Sequence, residues 1–167
     1  DKDIENLIQE VNYRPFDTRK IMYEDTVVWR TARKVMQHLL SHENMGLCFA
    51  RSNKSQMMDH FFISNHITEA KFCESTTQSC IAPFYLYKKE EVMGVAEEAK
   101  VPNFKPEFVK MVAGKFEKTT PEEVLAYIYA VLHCPAYRTK YLEFLKIDFP
   151  RIPFDVDLTT FKKLASI

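Results

Sequence analysis

The chain is 167 residues long, 46% hydrophobic and 28% charged, with 23 basic residues balanced by 23 acidic ones. That is enough apolar material for one buried core, and zero net charge argues against a disordered tail and against a free-standing nucleic-acid binder, which normally carries a basic excess. No apolar run approaches the roughly 18 residues of a membrane span, and three glycines, at 46, 94 and 114, are too few for a phosphate-binding loop.

In chain order, residues 3–11 read as a short amphipathic helix or the tail of a linker, since Asp1-Lys2-Asp3 runs into Ile4, Leu7, Ile8 and Val11 without a methionine. Residues 11–23 are rich in aromatic and β-branched residues around Arg14-Pro15 and Asp17-Thr18, the pattern of a β-hairpin. Val28, Ala32, Val35, Met36, Leu39 and Leu40 keep helical spacing and predict a helix from 28 to 40 with Arg30, Arg33, Lys34 and Gln37 on its outer face. Asn44-Met45-Gly46 is a turn. Strands are expected at 47–51, 60–64, 69–73 and 81–87, with a polar hairpin-like loop at 52–56 and Pro83 marking an edge or a bulge. Residues 88–102 are charged and read as a surface connection of marginal helicity.

The second half is helical. Pro106 opens a helix through Phe116. Thr120 is an N-cap with Pro121 at the first helical position and Glu123 closing a capping box, followed by an apolar stripe of Val124, Leu125, Ile128, Val131 and Leu132. Cys134-Pro135 ends that helix and starts another carrying Tyr137, Tyr141, Phe144 and Leu145 on one face; Pro150 and Pro153 force an extended exit, and 158–165 close the chain as a last amphipathic segment. The fold class is α+β, a strand-rich N-terminal half (about 11–88) with a helical half (about 105–167) packed against it, forming a single domain of a longer chain.

Few residues carry obvious chemistry. His38 and His42 have the four-residue spacing of metal ligands but no third ligand nearby. Asp17, Asp25 and Asp59 match no nuclease spacing and suit turns and caps. Cys48, Cys73, Cys80 and Cys134 lack CxxC spacing and read as free thiols in a reducing cytosol. From Arg14 to Lys54, eight Lys or Arg residues face four acidic ones. Arg14, Arg19, Arg30, Arg33, Lys34, Arg51 and Lys54, with Asn53 and Gln56, are the types that contact phosphates and base edges. By composition alone a solvated basic face describes them better, and Tyr13, Phe16, Tyr23 and Trp29 read as packing rather than stacking residues.

Tyr13-Arg14-Pro15-Phe16-Asp17-Thr18-Arg19, Arg33-Lys34-Val35-Met36-Gln37-His38-Leu39, His60-Phe61-Phe62-Ile63-Ser64, Pro83-Phe84-Tyr85-Leu86-Tyr87 and the stretch from Thr120 to Phe154 resemble the C-terminal specificity region of single-chain restriction-modification enzymes of the type ISP and type IIG kind. The resemblance implies a target recognition domain that positions double-stranded DNA for an upstream N6-adenine methyltransferase domain of the same chain, whose cofactor is S-adenosylmethionine. The Asn-Pro-Pro-Tyr-type tetrapeptide and the cofactor-binding glycine motif do not occur here, which implies that this segment has no catalytic residues, metal or cofactor of its own. Val28-Trp29-Arg30-Thr31-Ala32-Arg33 departs from the Arg-Pro-Arg-like stretch frequent in the family, keeping the charge without the proline. On this reading the loop from Arg51 to Gln56 and the strand edge around Lys71 reach base edges in the major groove, while Arg14 and Arg19 hold phosphate or face the methyltransferase domain. A protein-interaction module without DNA contact is the competing reading.

Overall fold

A computed structural model describes residues 2–40, 43–54, 58–92 and 95–167. Helix α1 (Lys2–Leu7) passes directly into strand β1 (Ile8–Arg14), which pairs antiparallel with β2 (Asp17–Met22). The helix expected through residue 11 stops at Leu7 because Val11 is drawn into the core as part of β1. Helix α2 (Arg33–Leu40) follows, five residues shorter at its start than the apolar spacing predicts. The cause is backbone geometry: Arg30 and Ala32 adopt φ of 60° and 50°, which ends any right-handed helix passing through them.

Strand β3 (Gly46–Ala50) is central in a sheet with β4 (Phe62–Ser64) on one side and β6 (Ser79–Pro83) on the other, so Pro83 does lie on an edge strand. Gly46 sits where β3 and β6 approach closely; a Cβ there would fall 2.6 Å from the Ile81 side chain. The strand expected at 69–73 is a turn closed by Phe72 N–H donating to Glu69 C=O at 3.0 Å, and the pairing is made instead by β5 (Ile67–Thr68), which runs parallel to β1. Residues 88–102 are not a helical connection. They belong to a long hairpin of β7 (Tyr85–Val92) and β8 (Val95–Pro102), in register from Tyr85↔Pro102 to Val92↔Val95. A two-stranded ribbon satisfies its backbone across one ladder without needing a continuous apolar face, so the charge-rich sequence lacks the alternation that marks a half-buried strand.

The helical half follows its sequence signals closely. Helices α3 (Pro106–Lys115), α4 (Pro121–His133), α5 (Pro135–Lys140), α6 (Leu142–Leu145) and α7 (Leu158–Ala165) occur in that order. The capping box is complete: Glu123 N–H donates to Thr120 Oγ1 at 3.3 Å, and Thr120 N–H to Glu123 Oε2 at 2.9 Å. Glu123 also accepts from Lys162 Nζ at 2.7 Å, tying α4 to α7. Tyr137 and Leu145 are buried, whereas Phe144, expected on the same face, points to solvent. The extended exit is held by two buried tyrosines, Tyr127 Oη donating to Pro153 C=O at 2.5 Å and Tyr137 Oη to Arg151 C=O at 3.0 Å.

The largest core joins the halves. Met58 and Phe61 from the strand-rich part pack with Phe116, Val124, Tyr127 and Phe161 of the helices, giving the expected α+β arrangement. A second cluster, Val11, Tyr23, Leu39 and Ile67, seats α2 on the β1–β2 hairpin. Asn44 is a buried polar hub: its amide donates to His38 C=O at 2.8 Å and Tyr85 C=O at 2.9 Å, and its carbonyl accepts from Met45 and Tyr85 N–H. All four cysteines are free thiols, Cys48 and Cys73 buried, Cys80 and Cys134 half-buried. The neighbouring Cys73 thiol, and then burial, push the Cys48 thiol up, so it stays neutral and behaves as a small apolar group.

Candidate nucleic-acid interface

The β1–β2 hairpin carries the first part of the site. The Tyr13 ring lies between two guanidinium groups, Arg14 at 4.1 Å and Arg19 at 3.9 Å from its centroid. Arg19 is forked onto Asp17, Nε at 3.1 Å and Nη2 at 2.7 Å, and that hydrogen bonding holds the Asp17 carboxyl below its usual range. Side-on pairing through Nε and Nη2 leaves the Nη1/Nη2 edge of Arg19 open, and two donors on one edge suit guanine O6/N7. Arg14 Nη1 reaches Glu69 Oε2 at 2.5 Å, which anchors the hairpin to the turn after β5. At the hairpin tip Phe16 is fully exposed, 102% of its reference area, with φ 64°.

Residues 24–32 form the second part. Asp25 acts as the clamp, accepting from Thr31 Oγ1 at 2.6 Å and Arg33 Nε at 3.0 Å; these bonds, that from Thr31 first, lower its carboxyl below the usual value. Tyr23 Oη donates to Thr31 C=O, and Val27 and Val28 N–H both donate to Glu24 C=O at 2.9 and 2.8 Å. With its two ends so held, the loop presents Trp29, 82% exposed, with the Arg30 guanidinium 4.3 Å from its ring centroid. Arg30 has no carboxylate partner among the described residues.

Between hairpin and loop lies a groove of about 520 Å³ bordered by Tyr13, Trp29, Arg30, Glu69 and Gln78. Arg14 and Arg19 stack on one of its walls, Tyr13, and Arg33 lies over another, Tyr23, at 5.2 Å. The fold thus brings together Arg14, Arg19, Arg30 and Arg33, scattered over 20 positions of sequence. Lys34 is exposed on α2. Lys71 is half-buried in the turn beside Glu69, its N–H held by Glu69 Oε2 at 2.7 Å, so it belongs to a turn rather than a strand edge. Phe16 and Trp29 are not packing residues as their type suggests; only Tyr23 of that expected set is buried. A positional signal for Phe16 exists, since it follows Arg-Pro and precedes Asp-Thr at the centre of the turn.

None of the loop residues Arg51, Ser52, Asn53 and Lys54 lines the groove. Arg51 pairs with Asp148 at 3.5 Å and Asn53 N–H donates to Lys146 C=O at 3.1 Å, so the helical half holds this loop. Asn53, a candidate base reader by residue type, is 3% exposed, and its side-chain amide donates to His60 Nδ1 at 2.7 Å. A short amide side chain committed to a buried ring does not reach a base edge. Lys54 is exposed, and Gln56 lies outside the described residues.

His60 is buried, and desolvation lowers its pKa; the acids Asp59 and Glu74 oppose this and Arg138 adds to it. A second ring proton would also meet the Asn53 amide donor. The folded state therefore binds this proton less readily than the unfolded chain, so His60 contributes stability above the unfolded value near pH 6.5 that is lost as pH falls toward the folded value. A slope of up to about 1.4 kcal/mol per pH unit is expected in that window. Urea unfolding between pH 5 and 8 measures it, and His60→Gln should flatten the profile.

Among the described residues, no group of three or more His, Cys, Asp or Glu is placed to hold a metal ion. His38 is buried with its Nδ1 accepting from Tyr87 N–H at 3.1 Å, and His42 lies outside the described residues.

Comparison with known families gives a match to the Type ISP C-terminal specificity domain over residues 1–167. The chain belongs to this family. Three solved structures share the fold of this specificity domain. A DrdV–DNA complex is 25% identical with a TM-score of 0.76, covering 97% of this chain and 15% of that one. The ATP-dependent Type ISP restriction-modification enzyme LlaBIII bound to DNA is 19% identical with a TM-score of 0.75, covering 96% and 10%. A nuclease-deletion mutant of the Type ISP enzyme LlaGI with a DNA substrate mimic is 18% identical with a TM-score of 0.68, covering 96% and 13%. The specificity domain thus spans 15% or less of the chains it resembles. No curated protein matches it.

Proposed function

We propose that this specificity domain reads double-stranded DNA through the face built by the β1–β2 hairpin and the 24–32 loop, and positions the site for an N6-adenine methyltransferase domain upstream in the same longer chain. The supporting observation is that Arg30 and exposed Trp29 line one groove whose other walls, Tyr13 and Tyr23, carry the guanidinium groups of Arg14, Arg19 and Arg33. Arg19 and Arg30 address base edges, and Arg14 and Arg33, which tie the hairpin to Glu69 and the loop to Asp25, set the position of both while contributing charge to the phosphates. Lys34, Arg51, Lys54 and Lys71 extend the positive surface, and the bulk of phosphate affinity comes from the rest of the enzyme, which reconciles DNA binding with a net charge of zero.

In this reading the domain is a single recognition module without catalytic residues, and S-adenosylmethionine serves the upstream domain of a cytoplasmic restriction-modification enzyme. No helix among the described residues is long and apolar enough to cross a membrane. The test is enrichment of a randomised 30-base-pair duplex library on the full-length protein, at ionic strengths from about 50 to 200 mM where phosphate contacts weaken steeply. A shared motif in the enriched duplexes is expected; recovery of unselected sequence at every ionic strength would refute the reading.

A further inference from the structure

We infer that Phe16 is a wedge that inserts between stacked bases of the DNA site, an inference that rests on the DNA-reading function above. Three features of the hairpin tip point the same way. Phe16 is fully exposed, so its ring gains nothing from the folded domain. It has φ 64°, and behind a proline that fixes φ at Pro15 this is the turn position that ordinarily takes Gly or Asn. A bulky aromatic there is unfavourable both locally and in water, and such an outlier is retained where a bound state uses it.

The third feature is the support. The register of β1 against β2 shifts between Asn12 and Arg14, which re-aims the tip; Arg14–Glu69 ties the hairpin to the turn after β5, and Arg19 pairs with Asp17 within β2. Two guanidinium groups therefore stand at the base of an exposed ring. Cations can engage the phosphates on either side of an opened base step while the ring stacks against the bases. A ring docked in a protein partner would have no equivalent use for flanking cations on both strands of its own hairpin. The hairpin delivers the apolar surface and the charge together.

The experiment uses full-length protein and a duplex recovered from the library above, with 2-aminopurine replacing each adenine in turn. Wild-type protein is expected to raise the fluorescence several-fold at one step, reporting local unstacking. Phe16→Ala should abolish that rise and weaken binding roughly tenfold or more, while Phe16→Leu keeps part of both. Phe16→Gly should melt no lower than wild type, because it relieves the left-handed backbone, and still bind as poorly as Phe16→Ala. If no step responds to wild-type protein, or the response survives in Phe16→Ala, the wedge is wrong while sequence reading stands. If wild-type protein selects no sequence at all, the DNA-reading function and the wedge fall together.

Discussion

Replacing Arg14, Arg19 and Arg30 together by alanine is expected to weaken binding of the full-length protein to its selected duplex by about 10²- to 10⁴-fold, or roughly 3–6 kcal/mol. Two of these guanidiniums lie over Tyr13 and the third over Trp29, and both rings border the groove, so the triple variant removes three positive charges from its walls. Loss of phosphate contacts should also lower the salt dependence by close to one for each contact removed. Folding should be little affected. The Arg14–Glu69 and Arg19–Asp17 pairs are solvent-accessible, where screening leaves an ion pair little weight in stability. A control triple at exposed Lys105, Lys110 and Lys140, all in the helical half, should leave selective binding unchanged. Binding isotherms at several salt concentrations check both; an unaltered affinity and slope for the arginine triple would place the reading face elsewhere.

Phe161→Ala is expected to cost about 3–5 kcal/mol of stability. Phe161 is 0% exposed and lies between two rings, Phe116 at 4.3 Å and Tyr127 at 4.7 Å, both nearly parallel to it. Truncation removes that stacking and leaves a cavity where α7 meets α4, and the rigid rings cannot collapse into it. Against a typical domain stability of about 5–15 kcal/mol the loss is severe, lowering the thermal midpoint by roughly 10–15 °C. Phe161→Leu should cost less than half as much. Thermal and urea unfolding measure this, and DNA affinity per folded molecule should be unchanged, because Phe161 is packed among helices remote from the hairpin in sequence and in contacts. The arginine triple and Phe161→Ala thus separate reading from scaffold.

Several features were legible from the sequence because they are local. The capping box at Thr120 and Glu123, the proline starts of α3, α4 and α5 and the helix at 158–165 are written within four or five residues of one another. The β1–β2 hairpin was readable for the same reason, from Arg14-Pro15 and Asp17-Thr18 between β-branched segments. The α2 start was misread because Val28 and Ala32 continue its apolar spacing, while the left-handed residues Arg30 and Ala32 have no signature in a non-glycine sequence. The long hairpin from Tyr85 to Pro102 was missed because a ribbon of this composition has no apolar alternation to detect.

The candidate site divides in the same way. Residue type singled out Arg14, Arg19, Arg30 and Arg33 as candidates, and the specificity-domain resemblance carried by the words of the chain agrees with the family match. Residue type also offers Asn53 as a reader and Phe16 and Trp29 as packing residues, whereas Asn53 is buried and both aromatics are exposed. The sequence by itself thus determined the family, the α+β class and the capped helical half, since caps, turns and periodicity act over a few residues. Only the tertiary structure decided which cations share a face and which aromatics look outward. That face is assembled by non-local pairings, β1 with β5, Arg14 with Glu69 and α2 on the hairpin, and such pairings depend on packing between segments from about 16 to 56 residues apart.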